Sequence, residues 1–109
     1  MLTYTTYSEA GGVGKTTLAS NLADAHAQHG RDVLAIDLDP QQGSLTYLLG
    51  LDAPRDDSNA DNIARHLIDR PDGPFVDLIQ ESSFGFDVVP SHNMIKNLNN
   101  LLTRAEGFA

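Results

Sequence analysis

A glycine-rich segment near the start of the chain carries residue types that bind phosphate groups. Its members follow one another without a break: Gly11, Gly12, Val13, Gly14, Lys15, Thr16 and Thr17. The glycines let the backbone turn its N–H groups toward one point, and a helix that follows adds the partial positive charge of its N-terminus. The segment therefore predicts an anion site built largely from backbone.

The side chains after the third glycine indicate which anion is bound. We expect Lys15 to reach the β- and γ-phosphates of a nucleotide, and the Thr16 hydroxyl to ligate the magnesium ion that bridges them. Thr17 is placed to contact the α-phosphate. The alternative is a turn that merely connects a strand to a helix, but it does not explain a Lys and a Thr directly after Gly14. The loop therefore predicts ATP and Mg2+ as cofactors, with Lys15 taking part in catalysis.

Two acidic residues, Asp37 and Asp39, follow a short apolar run. In an extended chain both carboxylates point to the same side, toward the loop at the carboxyl edge of the sheet. One could hold a magnesium-bound water, and the other could orient the water that attacks the γ-phosphate. The alternative is that both cap the turn beside Pro40.

The elements that must position these residues can be read from hydrophobic spacing. Residues 2–7 predict a strand that runs into the glycine loop, and residues 16–29 predict a helix that ends at Gly30. Residues 32–37 predict a strand buried on both faces. These three elements form a strand, helix, strand unit with a right-handed crossover.

The remainder of the chain predicts more elements of the same kind. Residues 44–49 predict a short helix, and residues 62–68 predict a helix with Ile63, Leu67 and Ile68 inward. Residues 76–79 predict a short helix or strand, and residues 86–89 predict a third buried strand. The last predicted element is a helix whose apolar face holds Met94, Ile95, Leu98, Leu101 and Leu102. The predicted fold is α/β, a parallel sheet with flanking helices in one nucleotide-binding domain over 1–109.

Charge and composition exclude several other functions. The chain of 109 residues has 15 acidic against 7 basic residues, a formal charge of −8, which disfavours direct binding to nucleic acid or to anionic lipid. Adaptation to a cytosol of high salt would also explain this charge. The chain has no cysteine, which excludes disulfides, thiolate metal sites and thiol nucleophiles within it. Its apolar stretches are too short to cross a bilayer, so we expect a cytoplasmic protein without a membrane partner.

The glycine loop and the acidic turn together resemble the ParA/MinD family of P-loop ATPases. The resemblance rests on GGVGKTTLA at 11–19 and VLAIDLDPQ at 33–41, and VVPS at 88–91 is similar to the third strand and turn of ParA-type partition proteins. It implies ATP hydrolysis by a nucleotide-sandwich homodimer that positions plasmids or chromosomes, with DNA and a partition protein as partners. It also implies that Asp37 lies near the magnesium shell and that Asp39 positions the attacking water.

The sequence departs from the family pattern in two respects. Ala10 stands where these proteins usually carry a second lysine that reaches the partner's ATP. Family members also continue well past this length, so we expect the domain to be incomplete at its C-terminus. Both departures favour the alternative of a nucleotide-binding module that does not hydrolyse ATP. A nitrogenase reductase-like or cluster-assembly ATPase is a further alternative, although the Asp-Pro-Gln after the second strand favours partitioning.

Overall fold

The computed structural model describes residues 14–40, 45–51, 57 and 59–98, and the structural statements below concern these residues. In chain order the elements are α1 (Lys15–Gln28), β1 (Leu34–Ile36), α2 (Leu45–Leu48), α3 (Ile63–Leu67), a first 3-10 helix (Phe75–Leu78), β2 (Gln80–Glu81), β3 (Asp87–Val89) and a second 3-10 helix (Asn93–Asn97). The strand predicted over 2–7, loop residues 11–13, Ser44, and Leu101 and Leu102 lie outside the described residues.

The sheet has the strand order β1-β3-β2, with β3 in the middle. β1 runs parallel to β3, with Ala35 opposite Val88, which confirms the predicted parallel pairing of these two strands. β2 pairs with β3 in the antiparallel sense, so the sheet is mixed. The sequence did not indicate β2 because two residues are too few to show an alternating pattern.

Helix α1 ends where the sequence predicted. The N–H of Gly30 donates to the carbonyl of Ala27 at 3.0 Å, and the N–H of Arg31 donates to the carbonyl of His26 at 3.1 Å. These two bonds form a Schellman motif, which requires the left-handed conformation that Gly30 adopts at φ 80°. The motif turns the chain back toward β1 within a few residues.

The core lies between α1 and the sheet. Ala23 of α1 packs with Phe86 and Val88, and Ala27 and Ala35 are partly buried against this cluster. Val88 and Val89 are both fully buried, which confirms the prediction that the strand over 86–89 is buried.

Strand β1 is less buried than the sequence predicted. Leu34 is 46% exposed and Ile36 is 51% exposed, so the prediction of burial on both faces was wrong. Alternate residues of a strand point to opposite faces, and only Ala35 lies on the side that α1 covers. The described elements leave the opposite face of β1 open.

Helix α3 confirms the prediction of a helix over 62–68, with one difference in its buried face. The Asn62 side chain caps it by accepting a hydrogen bond from the N–H of Arg65 at 3.2 Å. Ile63, Ala64 and Ile68 are buried, whereas Leu67 is 45% exposed. Ala64 and Ile68 are four residues apart and share one face, so the inward position predicted for Leu67 was wrong.

The chain after β3 forms the second 3-10 helix where an α-helix with an apolar face was predicted. His92 lies at its start and is buried. One ring nitrogen, Nδ1, accepts a hydrogen bond from the N–H of Met94 at 3.1 Å, and Nε2 donates to the carbonyl of Asp57 at 2.9 Å. This pair of bonds ties the chain after β3 to the loop before α3. No helix within the described ranges combines the length and the apolar character that crossing a membrane requires.

Candidate functional site

The first described residues of α1 suit the binding of an anion. Gly14 is the N-cap residue, with φ 85° and no capping side chain, and the first turn contains no acidic residue. A Cβ atom on Gly14 would have no neighbour within 4 Å, so the positive φ, and not crowding, is what favours glycine here. Among the described residues, no capping side chain competes with a bound phosphate for the N–H groups of the first helical turn.

The other described residues of the glycine loop lie in the same helical turn. Lys15 is the first residue of α1, Thr16 is half-buried, and Thr17 is exposed. Gly11, Gly12 and Val13 lie outside the described residues. The predicted contacts of these residues with phosphate and magnesium therefore stay predictions.

Asp37 follows β1 directly and is 6% exposed. Its N–H donates to the carbonyl of Val89 at 3.1 Å, which continues the β1–β3 pairing past the end of β1. Its Oδ1 accepts a hydrogen bond from the N–H of Asp39 at 3.0 Å. Its Oδ2 accepts two bonds from Thr46, one from the N–H at 2.8 Å and one from the hydroxyl at 2.5 Å. The carboxylate thus joins the end of β1 to the start of α2.

The hydroxyl of Thr46 connects this carboxylate to a third segment. Thr46 is fully buried, and its Oγ1 accepts a hydrogen bond from the N–H of Ser91 at 2.8 Å. Ser91 follows β3, so the Asp37–Thr46–Ser91 network joins the exits of two parallel strands to α2. The capping role considered for the acidic pair is therefore present at Asp37.

The hydrogen bonds of Asp37 limit how it can meet a metal ion. Each carboxylate oxygen has about two lone-pair sites. Both sites of Oδ2 are used by Thr46, whereas Oδ1 has one donor, the N–H of Asp39. The remaining site on Oδ1 suits one further donor, such as a metal-bound water, better than direct coordination by both oxygens.

The described parts of the two predicted segments lie toward one edge of the sheet. The carboxyl ends of parallel strands share an edge, which places Asp37 and Asp39 beside the exit of β3. Helix α1 reaches β1 through a short turn and packs along the sheet, so its N-terminus points to this same edge. Helices α1 and α2 contact each other.

Sequence reasoning did not identify Thr46 or Ser91. Thr46 has one available signal, since it is the polar residue with a β-branched side chain inside the otherwise apolar start of α2, Leu45–Leu48. Its burial could not be inferred from that pattern alone. Ser91 contributes a backbone N–H to the network, and a backbone contribution leaves no mark in the sequence.

A second polar cluster lies around α3. Asp61 Oδ2 lies 2.8 Å from Nε2 of His66, and Oδ1 accepts a hydrogen bond from the N–H of Asp72 at 3.0 Å. The ring of Phe75 meets the ring of His66 edge to face, with centroids 5.4 Å apart. Burial alone would raise the pKa of Asp61, but the hydrogen bonds from His66 and Asp72 outweigh it and lower that pKa below its usual value.

Comparisons with known proteins agree with this architecture. The AAA_31 family model, described as an AAA domain, matches residues 3–107. A crystal structure of cobyrinic acid a,c-diamide synthase from Mycobacterium smegmatis, with a bound ATP analogue and magnesium, has a TM-score of 0.72 to this chain at 26% identity. That match covers 93% of this chain and 43% of the synthase.

Two similar proteins come from Thermus thermophilus. The chromosome-partitioning ATPase Soj is 54% identical over 48 residues, which are 44% of this chain and 19% of Soj. A probable plasmid-partitioning protein ParA is 36% identical over 88 residues, which are 81% of this chain and 25% of that protein. The chain thus spans about a quarter or less of these two relatives. With the family model matching nearly all of its length, the chain belongs to the ParA/MinD family of P-loop ATPases.

Proposed function

We propose that the chain binds ATP with magnesium and hydrolyses ATP, as the nucleotide-binding part of a ParA-like protein that partitions plasmids or chromosomes. One observation carries the proposal: the uncapped N-terminus of α1 and the buried Asp37 lie at the same edge of the sheet. The first suits an anion and the second holds an acidic turn in place, which is the pairing that phosphoryl transfer needs.

The phosphates would be bound by the glycine loop. In this proposal the backbone N–H groups from Gly11 to Gly14 and the first turn of α1 surround the β-phosphate. Lys15 neutralises charge on the β- and γ-phosphates, and Thr17 contacts the α-phosphate. The absence of an acidic side chain from the first turn of α1 supports this arrangement, because a carboxylate there would repel the nucleotide.

The described residues also suit a magnesium ion. Magnesium in such sites keeps several waters and takes few protein ligands, so a half-buried Thr16 hydroxyl and the free site on Asp37 Oδ1 fit a Thr ligand and a water-bridged carboxylate. When bound, the ion would neutralise charge that develops on the phosphate oxygens. Thr16 and Asp37 are therefore the proposed metal-site residues.

Asp39 is the carboxylate proposed to position the attacking water. It is half-buried, and its N–H is held by Asp37 at 3.0 Å, so the turn that carries its side chain is fixed at one end. Its carboxylate would accept a hydrogen bond from the water that attacks the γ-phosphorus. The water oxygen forms the new P–O bond as the bond to the bridging oxygen breaks, and ADP leaves with that electron pair. One proton of the water stays on the new oxygen of the released phosphate, and the other passes to a second oxygen of that phosphate.

The partitioning role rests on the relatives. Soj and the probable ParA protein of Thermus thermophilus are named for chromosome and plasmid partitioning, and this chain aligns with a part of each. The proposed partners are accordingly a second copy of the chain, a partition partner protein and DNA. The proposed activity is cytoplasmic.

A second candidate function is nucleotide binding without hydrolysis. The observation that favours it is Ala10, which takes the place of the second lysine usual in the family. Without that cation, charge on the partner's ATP in a sandwich dimer would be less well neutralised. The two functions share the phosphate site and differ in turnover.

Phosphate release from ATP and magnesium tests the proposal. We expect turnover by the protein, with DNA and partner protein added if needed, and a loss of about 100-fold or more in Lys15→Ala. Asp39→Asn should lower kcat by about 100-fold while nucleotide binding stays near wild type. Turnover that is absent under every condition, with ATP still bound, would instead support the non-hydrolysing function.

A further inference from the structure

We infer that Thr46 is a positioning residue for ATP hydrolysis, which holds Asp37 and, through it, the turn that carries Asp39. This inference rests on the proposed function. Thr46 lies outside the glycine loop and outside the acidic turn, and it is 0% exposed. Both of its polar donors, the N–H and the hydroxyl, bind the same oxygen of Asp37.

The direction of each hydrogen bond of the Thr46 hydroxyl follows from its partners. The N–H of Ser91, 2.8 Å from Oγ1, can only donate. A hydroxyl group has one hydrogen, which is therefore available for Asp37 Oδ2 at 2.5 Å. The hydroxyl is thus an acceptor toward β3 and a donor toward β1, and its rotation is fixed.

Thr46 affects the position of Asp39 in two steps, through the carboxylate of Asp37. Thr46 occupies Oδ2 of Asp37 with two donors, which sets the rotation of the carboxylate and leaves Oδ1 directed at the N–H of Asp39 at 3.0 Å. That bond closes the chain between residues 37 and 39 into a tight turn. Loss of the Thr46 hydroxyl should therefore loosen Asp39.

The same hydroxyl links the turn to the second strand exit. Ser91 follows β3, and its N–H has Thr46 Oγ1 as its partner. Since β1 and β3 are paired in parallel, the hydroxyl fixes the spacing of the two strand exits just beyond the last paired residues, Ile36 and Val89. A valine of the same shape would leave the N–H of Ser91 and one site of Asp37 without a partner.

Thr46→Val tests the inference, with steady-state ATP hydrolysis and amide hydrogen exchange as readouts. We expect kcat to fall about 10- to 100-fold, because a displaced Asp39 misplaces the attacking water, with KM for ATP within about twofold. The amides of Asp39 and Ser91 should exchange about tenfold faster. Thr46→Ser keeps the hydroxyl and should restore both readouts to near wild type.

Asn62→Ala is the matched control for a general loss of stability. Asn62 is buried and caps α3, and its side chain bonds to Ala60, Arg65 and Met94, none of which belongs to the acidic turn. Its loss should therefore lower the melting temperature without changing kcat or the exchange of Asp39. If Thr46→Val does not fold, Thr46→Cys supplies the comparison, since a thiol is a weaker donor than a hydroxyl.

Two outcomes would overturn the inference. One is a wild-type kcat in Thr46→Val, and the other is an equal fall of kcat in Asn62→Ala. Failure of the proposed hydrolysis would look different, since wild-type protein would then bind ATP and release no phosphate. The exchange data alone would decide in that case, and unchanged protection of Asp39 in Thr46→Val would end the inference.

Discussion

Asp37 and Asp61 each fix a turn to a helix through both carboxylate oxygens, yet their surroundings differ in kind. Asp37 is bound by two backbone N–H groups and a hydroxyl, at the edge where two parallel strands end. Asp61 is bound by one backbone N–H and the ring of His66, beside a loop around α3. Asp37 thus joins the exits of two parallel strands to α2, whereas Asp61 joins residues around α3 alone.

The partners of the two carboxylates also differ in chemical type. The donors to Asp37 are two backbone amides and a hydroxyl. The Asp61 carboxylate instead meets one backbone amide and an imidazole ring, whose Nε2 lies 2.8 Å away. The two clusters therefore bind their carboxylates with different groups.

Replacing each aspartate by alanine should give the largest difference between the two clusters, in the free energy of unfolding that is lost. Asp37→Ala leaves two buried donors of Thr46 and the N–H of Asp39 without partners, and should lower the free energy of unfolding by about 3 kcal/mol. Asp61→Ala removes bonds at a less buried position and should cost about 1 kcal/mol. Urea denaturation at pH 7 measures both, and equal losses would remove the distinction between the two clusters.

A smaller expected effect is the loss of the stabilisation due to Asp61 as the pH is lowered into the acid range. The pKa of Asp61 is lowered in the folded chain by His66 and Asp72, against the opposing effect of burial, so the folded chain binds fewer protons than the unfolded chain. The stabilisation is fully present above the unfolded pKa of about 3.9 and is lost as pH falls through the lower folded value. Asp61→Asn should therefore destabilise at pH 7 and approach wild type near pH 3.

Urea denaturation of wild type and Asp61→Asn at several pH values measures this change. A difference in unfolding free energy that stays constant down to pH 3 would show that Asp61 acts by packing and not by charge. Asn62→Ala, a neutral change at the neighbouring residue, serves as the control whose effect should not vary with pH over the same range.

The two clusters also show how far the sequence could lead. Glycines before a Lys-Thr pair, followed by an apolar run that ends in Asp37, predicted α1, β1 and the edge at which the acidic turn lies. The helical spacing before Gly30 even predicted the end of α1. Each of these features depends on residues that are close together in the sequence. Such local patterns predict the structure correctly when they agree with the overall fold.

What the sequence could not predict depends on contacts between distant residues. Thr46 meets Ser91 across 45 positions, and one partner in that contact is a backbone N–H. Leu34 and Ile36 are half-exposed although the sequence predicted them to be buried. An apolar run indicates a strand, but it does not tell which faces of that strand are covered. The contacts of Asp61 could not be predicted from the sequence, because a single aspartate before a helix is compatible with many different hydrogen-bond partners.

The most direct test is a titration of the protein with ATP and magnesium by calorimetry, for wild type, Lys15→Ala and Asp61→Asn. We predict that wild type and Asp61→Asn bind with similar affinity, and that Lys15→Ala binds about 100-fold more weakly because a charge on the phosphates is lost. Equal binding by wild type and Lys15→Ala would contradict a nucleotide site at the glycine loop.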